Sequence, residues 1–168
     1  CYRDKMKIQI VNEKDELIGV KERSEVDYLT DIYRVSALWI TNSLGQALLA
    51  KRAAIKDKDP NKWGPAVAGT IDEGETYDDN IVKEAEEEIG LTGVEFTKGK
   101  KTHITYPRNY FCQWYFATVD RGTDSFTMQA DEVDELAWVD VVQMKQELQD
   151  NPEKYVPAMR QIVSELEI

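Results

Sequence analysis

Three glutamates, Glu84, Glu87 and Glu88, stand at i, i+3 and i+4 in residues 78–89, DDNIVKEAEEEI. On a helix that spacing puts their carboxylates on one face. Ile81, Ala85 and Ile89 recur at i, i+4 and i+8 and make a separate apolar face, with Val82 beside it. Each like-charged pair costs roughly a few tenths of a kcal/mol on a helix, and negative charge late in a helix also opposes the macrodipole. The plain reading is a solvated acidic face. The loop ahead of the helix argues for more, because Gly69 and then Gly74-Glu75 punctuate it in a way that a surface helix does not need. A set of oxygen ligands for Mg²⁺ or Mn²⁺ explains both features. Hard cations prefer carboxylate and backbone carbonyl oxygens, and Mg²⁺ commonly shares its coordination with substrate phosphates.

Residues 69–91 resemble the Nudix box, G-x5-E-x7-R-E-U-x-E-E-x-G-U, where U is aliphatic. Gly69, Glu75, Glu84, Ala85, Glu87, Glu88, Gly90 and Leu91 are in register, and Lys83 stands where the box has Arg. From this composition, the six Gly and Glu positions would match by chance with a probability on the order of 10⁻⁷ per start. The resemblance implies a hydrolase that cleaves a diphosphate bond in a nucleoside diphosphate linked to another group. It implies that Glu84, Glu87 and Glu88 bind the divalent cations with help from the Gly69 carbonyl. Glu75 would pair with Lys83 and hold the loop against the helix. The cations would clamp the diphosphate and lower the pKa of an attacking water, with Glu87 as the general base. Lys at 83 keeps the positive charge but loses the planar fork of Arg. Glu132, ahead of Trp138, is a candidate for completing the metal site from a late loop, as happens in some members. Arg52, Trp63 and Tyr106 are the candidate substrate contacts.

The stretch from Val11 to Arg23, and from Arg34 to Arg52, is similar to isopentenyl-diphosphate isomerases and their hydrolase-like relatives. Those isomerases flank the box glycine with Cys and His, whereas this chain has Ala68 and Thr70. The His they use near the start of the strand at 34 falls on Tyr33, and no acidic residue stands at 109–111. An isomerase must protonate and deprotonate carbon, so a hydrolase is favoured. An isomerase-like enzyme and a non-catalytic nucleotide-binding module remain as the alternatives.

The rest of the chain must position these groups. With 168 residues it fits a single domain with one core. Residues 7–12 and 17–21 read as a hairpin, spanning about 7–22. Residues 34–42, 46–52 and 66–69 read as strands, with a loop at 53–65 that contains Pro60 and Pro65. Residues 78–89 read as a helix capped by Asp78 or Asp79 and ended by Gly90. Further strands are expected at 93–97, 101–106, 110–119 and 135–139, and C-terminal helices at 140–149 and 152–166. The order predicts an α+β fold, a mixed sheet with helices on its faces, of the Nudix α/β/α sandwich type.

A net charge of −11 argues against a sequence-independent grip on a nucleic-acid polymer. No apolar run is long enough to span a bilayer. The expected partners are a small diphosphate substrate and, at most, a second copy in a homodimer. Two cysteines, Cys1 and Cys112, are too few for a disulfide framework and fit a reducing cytoplasm. Cys112 lies in an aromatic strand and is expected to be a buried free thiol. His103, the only histidine, has no partner at ligand spacing and reads as structural or substrate-contacting. Met6 is a candidate start.

Overall fold

The computed structural model describes residues 6–168. Among the described residues nine strands form one mixed sheet: β1 (Lys7–Val11), β2 (Leu17–Glu22), β3 (Ile32–Thr41), β4 (Gln46–Arg52), β5 (Trp63–Pro65), β6 (Val67–Thr70), β7 (Thr97–Ile104), β8 (Tyr110–Thr118) and β9 (Val133–Asp140). Helix α1 (Tyr77–Ile89) lies on one face, and α2 (Val141–Asp150) and α3 (Met159–Glu165) lie on the other. This is the α/β/α sandwich expected from the order of elements.

The period-2 alternation of β3 decides which residue faces which layer. Leu38 and Ile40 pack with Ile81, Ala85 and Ile89 of α1. Ala37 and Trp39 pack with Met144, Leu148, Met159 and Ile162 of the C-terminal helices. β3 is the organiser of the sheet. It runs parallel to β8 and antiparallel to β6, and its first residues also pair with the end of β1. β4 returns antiparallel and pairs with β5 and β9. As a result the starts of β3, β8 and β9 and the ends of β4 and β6 gather at one end of the sheet.

The hairpin at 7–22, the strands at 34–42 and 46–52 and the strand at 110–119 form close to where the pattern places them. Other expectations need correction. Residues 63–65 are not loop but strand, because β4 offers them an open edge. Residues 93–96 are not strand; extended pairing begins at Thr97, and β7 runs to Ile104 against β8 with a shift of register between Lys98 and Lys101. The α1 cap is Thr76, whose hydroxyl accepts from the Asp79 N–H at 3.1 Å, rather than Asp78 or Asp79. The single helix at 152–166 is broken: residues 152–154 make one 3-10 turn, Tyr155 bridges to Trp63, and α3 starts only at Met159. Pro157 has no N–H to continue a helix through this segment. Val82 does not join the apolar face of α1 but is exposed. Cys112 is a buried free thiol, and burial pushes its pKa up. Among the described residues no helix is long and apolar enough to cross a membrane.

Candidate functional site

Helix α1 meets the sheet at β6, and two of its glutamates lie against that strand. Glu84 lies against Gly69 so closely that a Cβ at position 69 would overlap its Cγ, Cδ and Oε1. Gly69 is therefore required by close approach and not by a left-handed backbone. Glu88, one turn on, is buried at 8% exposure and accepts a hydrogen bond from the Ala68 N–H. Burial and then the neighbouring Glu84 push the Glu88 carboxyl up to about 8, although Lys56, the Ala68 N–H and Arg52 oppose the rise. Burial likewise raises Glu84, with Lys83 opposing it and Glu87, Asp72 and Glu75 adding to it. The structure thus brings Glu84 and Glu88 together on β6, while Glu87 is exposed. Among the described residues no group of three His, Cys, Asp or Glu side chains closes on one point.

The helix end that carries Glu88 is held in place by its own carbonyls. Gly90 adopts φ 67° and Leu91 N–H returns to the Ala85 carbonyl at 3.0 Å, a left-handed stop. The loop before β9 supplies the rest: Thr127 N–H bonds the Ile89 carbonyl at 3.1 Å and Gln129 N–H bonds the Glu88 carbonyl at 2.9 Å.

Glu75 holds the loop between β6 and α1. Its Oε1 accepts from Lys83, and its Oε2 accepts from the Asp72 N–H at 3.0 Å and the Asn80 amide at 2.8 Å. Although burial opposes it, this set of donors, led by Lys83, keeps the Glu75 pKa low. Lys83 also reaches Asp72 at 3.3 Å and Glu84 at 3.8 Å. A compact ammonium serves three carboxylates here, which explains how Lys can stand in for the forked Arg of the box. Lys83→Arg is expected to change turnover less than about three-fold and to leave the thermal midpoint equal or slightly raised. Steady-state assay and thermal melting check this, and a large loss of activity would mean that Lys83 contributes through something other than its charge.

Arg52 ends β4 beside the carboxylates and is close enough to Glu88 to oppose its protonation; burial lowers the Arg52 pKa. Glu132 is carried in by the loop before β9 and pairs with Lys56 at 2.5 Å. Lys56 also lies within electrostatic reach of Glu88, so Glu132 stands at the rim of the site through that lysine. Two expected substrate contacts are not brought there. Trp63 packs into the layer under α2 and α3, on the far face of the sheet, where it pins the chain beside Tyr155. Tyr106 is 79% exposed in the turn between β7 and β8. The reason in both cases is register: strand parity sends the Trp63 ring to the far face, and Tyr106 lies beyond the last pair of the β7–β8 ladder. His103 stacks on Phe111 at 4.2 Å and hydrogen-bonds Asn109 at 2.7 Å, a structural role.

Several supporting residues carry little or no signal in the sequence. Gln9 of β1 donates to the carbonyls of Asp72 and Glu75 at 3.0 and 2.8 Å. Asn80 is fully buried and bridges Ser36, Thr70 and Glu75. The polar residue inside the otherwise apolar face of α1 is the one hint of Asn80. Gln9 and Lys56 have no counterpart hint.

The family model described as NUDIX domain matches residues 31–165. A Nudix hydrolase of Yersinia pestis is 26% identical over 132 residues, covering 79% of this chain and 71% of that protein. The crystal structure of DR0079 from Deinococcus radiodurans superposes with a TM-score of 0.84 at 20% identity, covering 95% of this chain and 98% of the other. The NUDIX domain of Shewanella oneidensis NrtR, solved with ADP ribose, superposes with a TM-score of 0.63 at 13% identity, covering 94% and 97%. At these identities the two structures show the fold.

Proposed function

Because the chain belongs to the Nudix hydrolase family, we propose that it is a Mg²⁺- or Mn²⁺-dependent hydrolase of a nucleoside diphosphate linked to another group, with Glu84 and Glu88 at its centre. The observation that carries this reading is the pair of carboxylates pressed onto β6, with Glu88 buried and short of compensating charge. Burying a carboxylate without a full counter-charge is costly, and a structural helix has no need of it. The donor set suits a hard divalent cation: Glu84, Glu88 and the Gly69 carbonyl offer oxygen, and substrate phosphates complete such a shell.

A divalent ion bound there would neutralise the diphosphate and make an attacking water more acidic. The protein's own contribution is positional. The Ala68 N–H holds Glu88, Gly69 lets Glu84 approach the strand, and the Glu75–Lys83 pair fixes the loop that orients both. Glu87, exposed on the same helix, is the general base in this reading and takes a proton from the attacking water. Arg52 offers a half-buried positive charge to the substrate. Glu132 is an additional ligand once it leaves Lys56. The ADP ribose bound by the NrtR domain supports a nucleoside diphosphate joined to a second group. Ala68 and Thr70 offer no acid or base for carbon chemistry, which supports hydrolysis over isomerisation. The buried Cys112 thiol is compatible with the cytoplasm.

The test is a panel of dinucleotides, sugar nucleotides and nucleoside triphosphates, each incubated with Mg²⁺ or Mn²⁺, followed by phosphatase treatment and phosphate assay. At least one diphosphate compound should be cleaved, and EDTA should abolish the reaction. No release from any compound with either metal would instead favour a non-catalytic binding module.

A further inference from the structure

In a chain of net charge −11, four cations gather at the end of the sheet beside the carboxylate pair. Arg52 closes β4, and its Nε donates to the Lys58 carbonyl at 3.0 Å. The Lys58 ammonium lies 2.8 Å from the centroid of the Tyr28 ring. Tyr28 meets Tyr33 edge-on at 5.3 Å, and Tyr33 meets Tyr110 at 5.3 Å. Arg108, ahead of β8, pairs with Asp59 and hydrogen-bonds Tyr33. Arg23, in the 3-10 turn after β2, completes the group, and its Nε is buried with no hydrogen-bond partner.

The four residues come from three segments, the turn after β2, the end of β4 with the loop that follows it, and the approach to β8, so no local pattern requires the three to meet. Among the described residues Asp59 is the acid in direct contact with the group, and it engages Arg108. Asp57 lies within electrostatic reach of Lys58. The cations repel one another: burial and then Arg108, Arg23 and Arg52 hold the Lys58 ammonium down to about 8. Leaving a buried guanidinium N–H unsatisfied costs free energy, and so does crowding like charges away from water. Both costs are removed by an anion with several acceptor oxygens. Arg presents a fork matched to phosphate, and Lys adds a point charge. The tyrosines wall the group without adding negative charge.

We propose that Arg23, Arg52, Lys58 and Arg108 form a phosphate subsite that holds a terminal phosphoryl group of the substrate. The substrate class is then a phosphoanhydride that ends in a free phosphate. Compounds whose far end is an uncharged sugar or nucleoside are poorer partners. This rests on the hydrolase reading above and deepens it. The neighbouring carboxylate pair would take the bond to be cut while the cationic group takes the end beyond it, and Arg52 lies between the two.

The experiment separates the subsite from the catalysis. Isothermal titration with inorganic phosphate and inorganic pyrophosphate is carried out in EDTA, so that no metal-bridged binding contributes. Wild-type protein should bind pyrophosphate, and phosphate more weakly. Arg23→Gln and Lys58→Gln should each weaken pyrophosphate at least about ten-fold, with circular dichroism unchanged and the thermal midpoint in the absence of anion equal or raised. Two variants from different segments guard against one that fails to fold. In the metal-supported assay, the same variants should raise KM for a nucleoside triphosphate by about ten-fold with kcat changed far less. Their preference for the triphosphate over a nucleotide sugar should fall. Absence of pyrophosphate binding by the wild type in EDTA, or binding unaltered in both variants, overturns the subsite. Binding in EDTA without any cleavage in the metal panel would keep the subsite and overturn the hydrolase reading.

Discussion

Glu88→Gln should lower turnover by about 100-fold or more and, in the same protein, raise the stability of the metal-free state. The amide has the shape of the carboxylate, and its oxygen still accepts the Ala68 N–H, so the fold is kept. What is lost is the charge. The metal-free native state holds a proton on Glu88 up to about pH 8, against an ordinary value of 4.5 in the unfolded chain. Between those limits the native state binds more protons than the unfolded state. Stability of the wild type therefore falls as pH rises from about 4.5 to about 8, and stays reduced above that. The amide of the variant has no such proton to lose. In EDTA, the variant's thermal midpoint should exceed that of the wild type by on the order of 5 °C at pH 8 and by little at pH 4.5. Differential scanning calorimetry across that range and a metal-supported assay check both halves. Full activity in the variant would remove Glu88 from the site, and a pH-independent difference would show that its buried charge is not what costs stability.

Gly69→Ala is expected to act on the same site from the other side. One methyl group there would occupy the space of the Glu84 side chain. The backbone at 69 is ordinary, so the substitution adds no turn strain. Either Glu84 swings off β6 or the helix moves away from the strand. Overpacking of this kind costs about 1–3 kcal/mol, which a domain of this size tolerates. The carboxylate is then displaced from its partner. Turnover should fall by about 100-fold or more, with the circular dichroism spectrum retained and the midpoint lowered by a few degrees, roughly 2–4 °C per kcal/mol. Wild-type activity in Gly69→Ala would mean that the contact between Glu84 and β6 has no part in catalysis. The control at Gly74 separates the two roles of glycine in this loop: φ is 83° there with open space at the Cβ, so Gly74→Ala strains the turn and spares the carboxylates.

The helix that carries the glutamates, its apolar face and its stop at Gly90 could all be read along the chain, because each depends on residues within a few positions of one another. The same holds for the hairpin at 7–22 and for β3, β4 and β8, whose alternation is strong. Local pattern gives way where a partner decides. Residues 63–65 become a strand only because β4 has an edge to offer. Residues 93–96 fail to become one because β8 finds its pairing further on. The proline that divides 152–166 acts together with the bridge between Tyr155 and Trp63, which spans the chain.

The residues themselves determined that an acidic helix follows a glycine-punctuated loop, and with it the class of chemistry and the family. Periodicity could place Glu84, Glu87 and Glu88 on one helical face, since 3.6 residues per turn is a local property. Only the tertiary structure decided which of them press onto the strand. That depends on where β6 lies beneath the helix, and it selects Glu84 and Glu88 while leaving Glu87 exposed. It also removed Trp63 and Tyr106 from the site, added Gln9, Asn80 and Lys56 around it, and drew Arg23, Arg52, Lys58 and Arg108 together. Most of those side chains are distant in sequence, and the packing of separate segments, not any repeat in the chain, sets the field in which each carboxylate and each cation finds its charge.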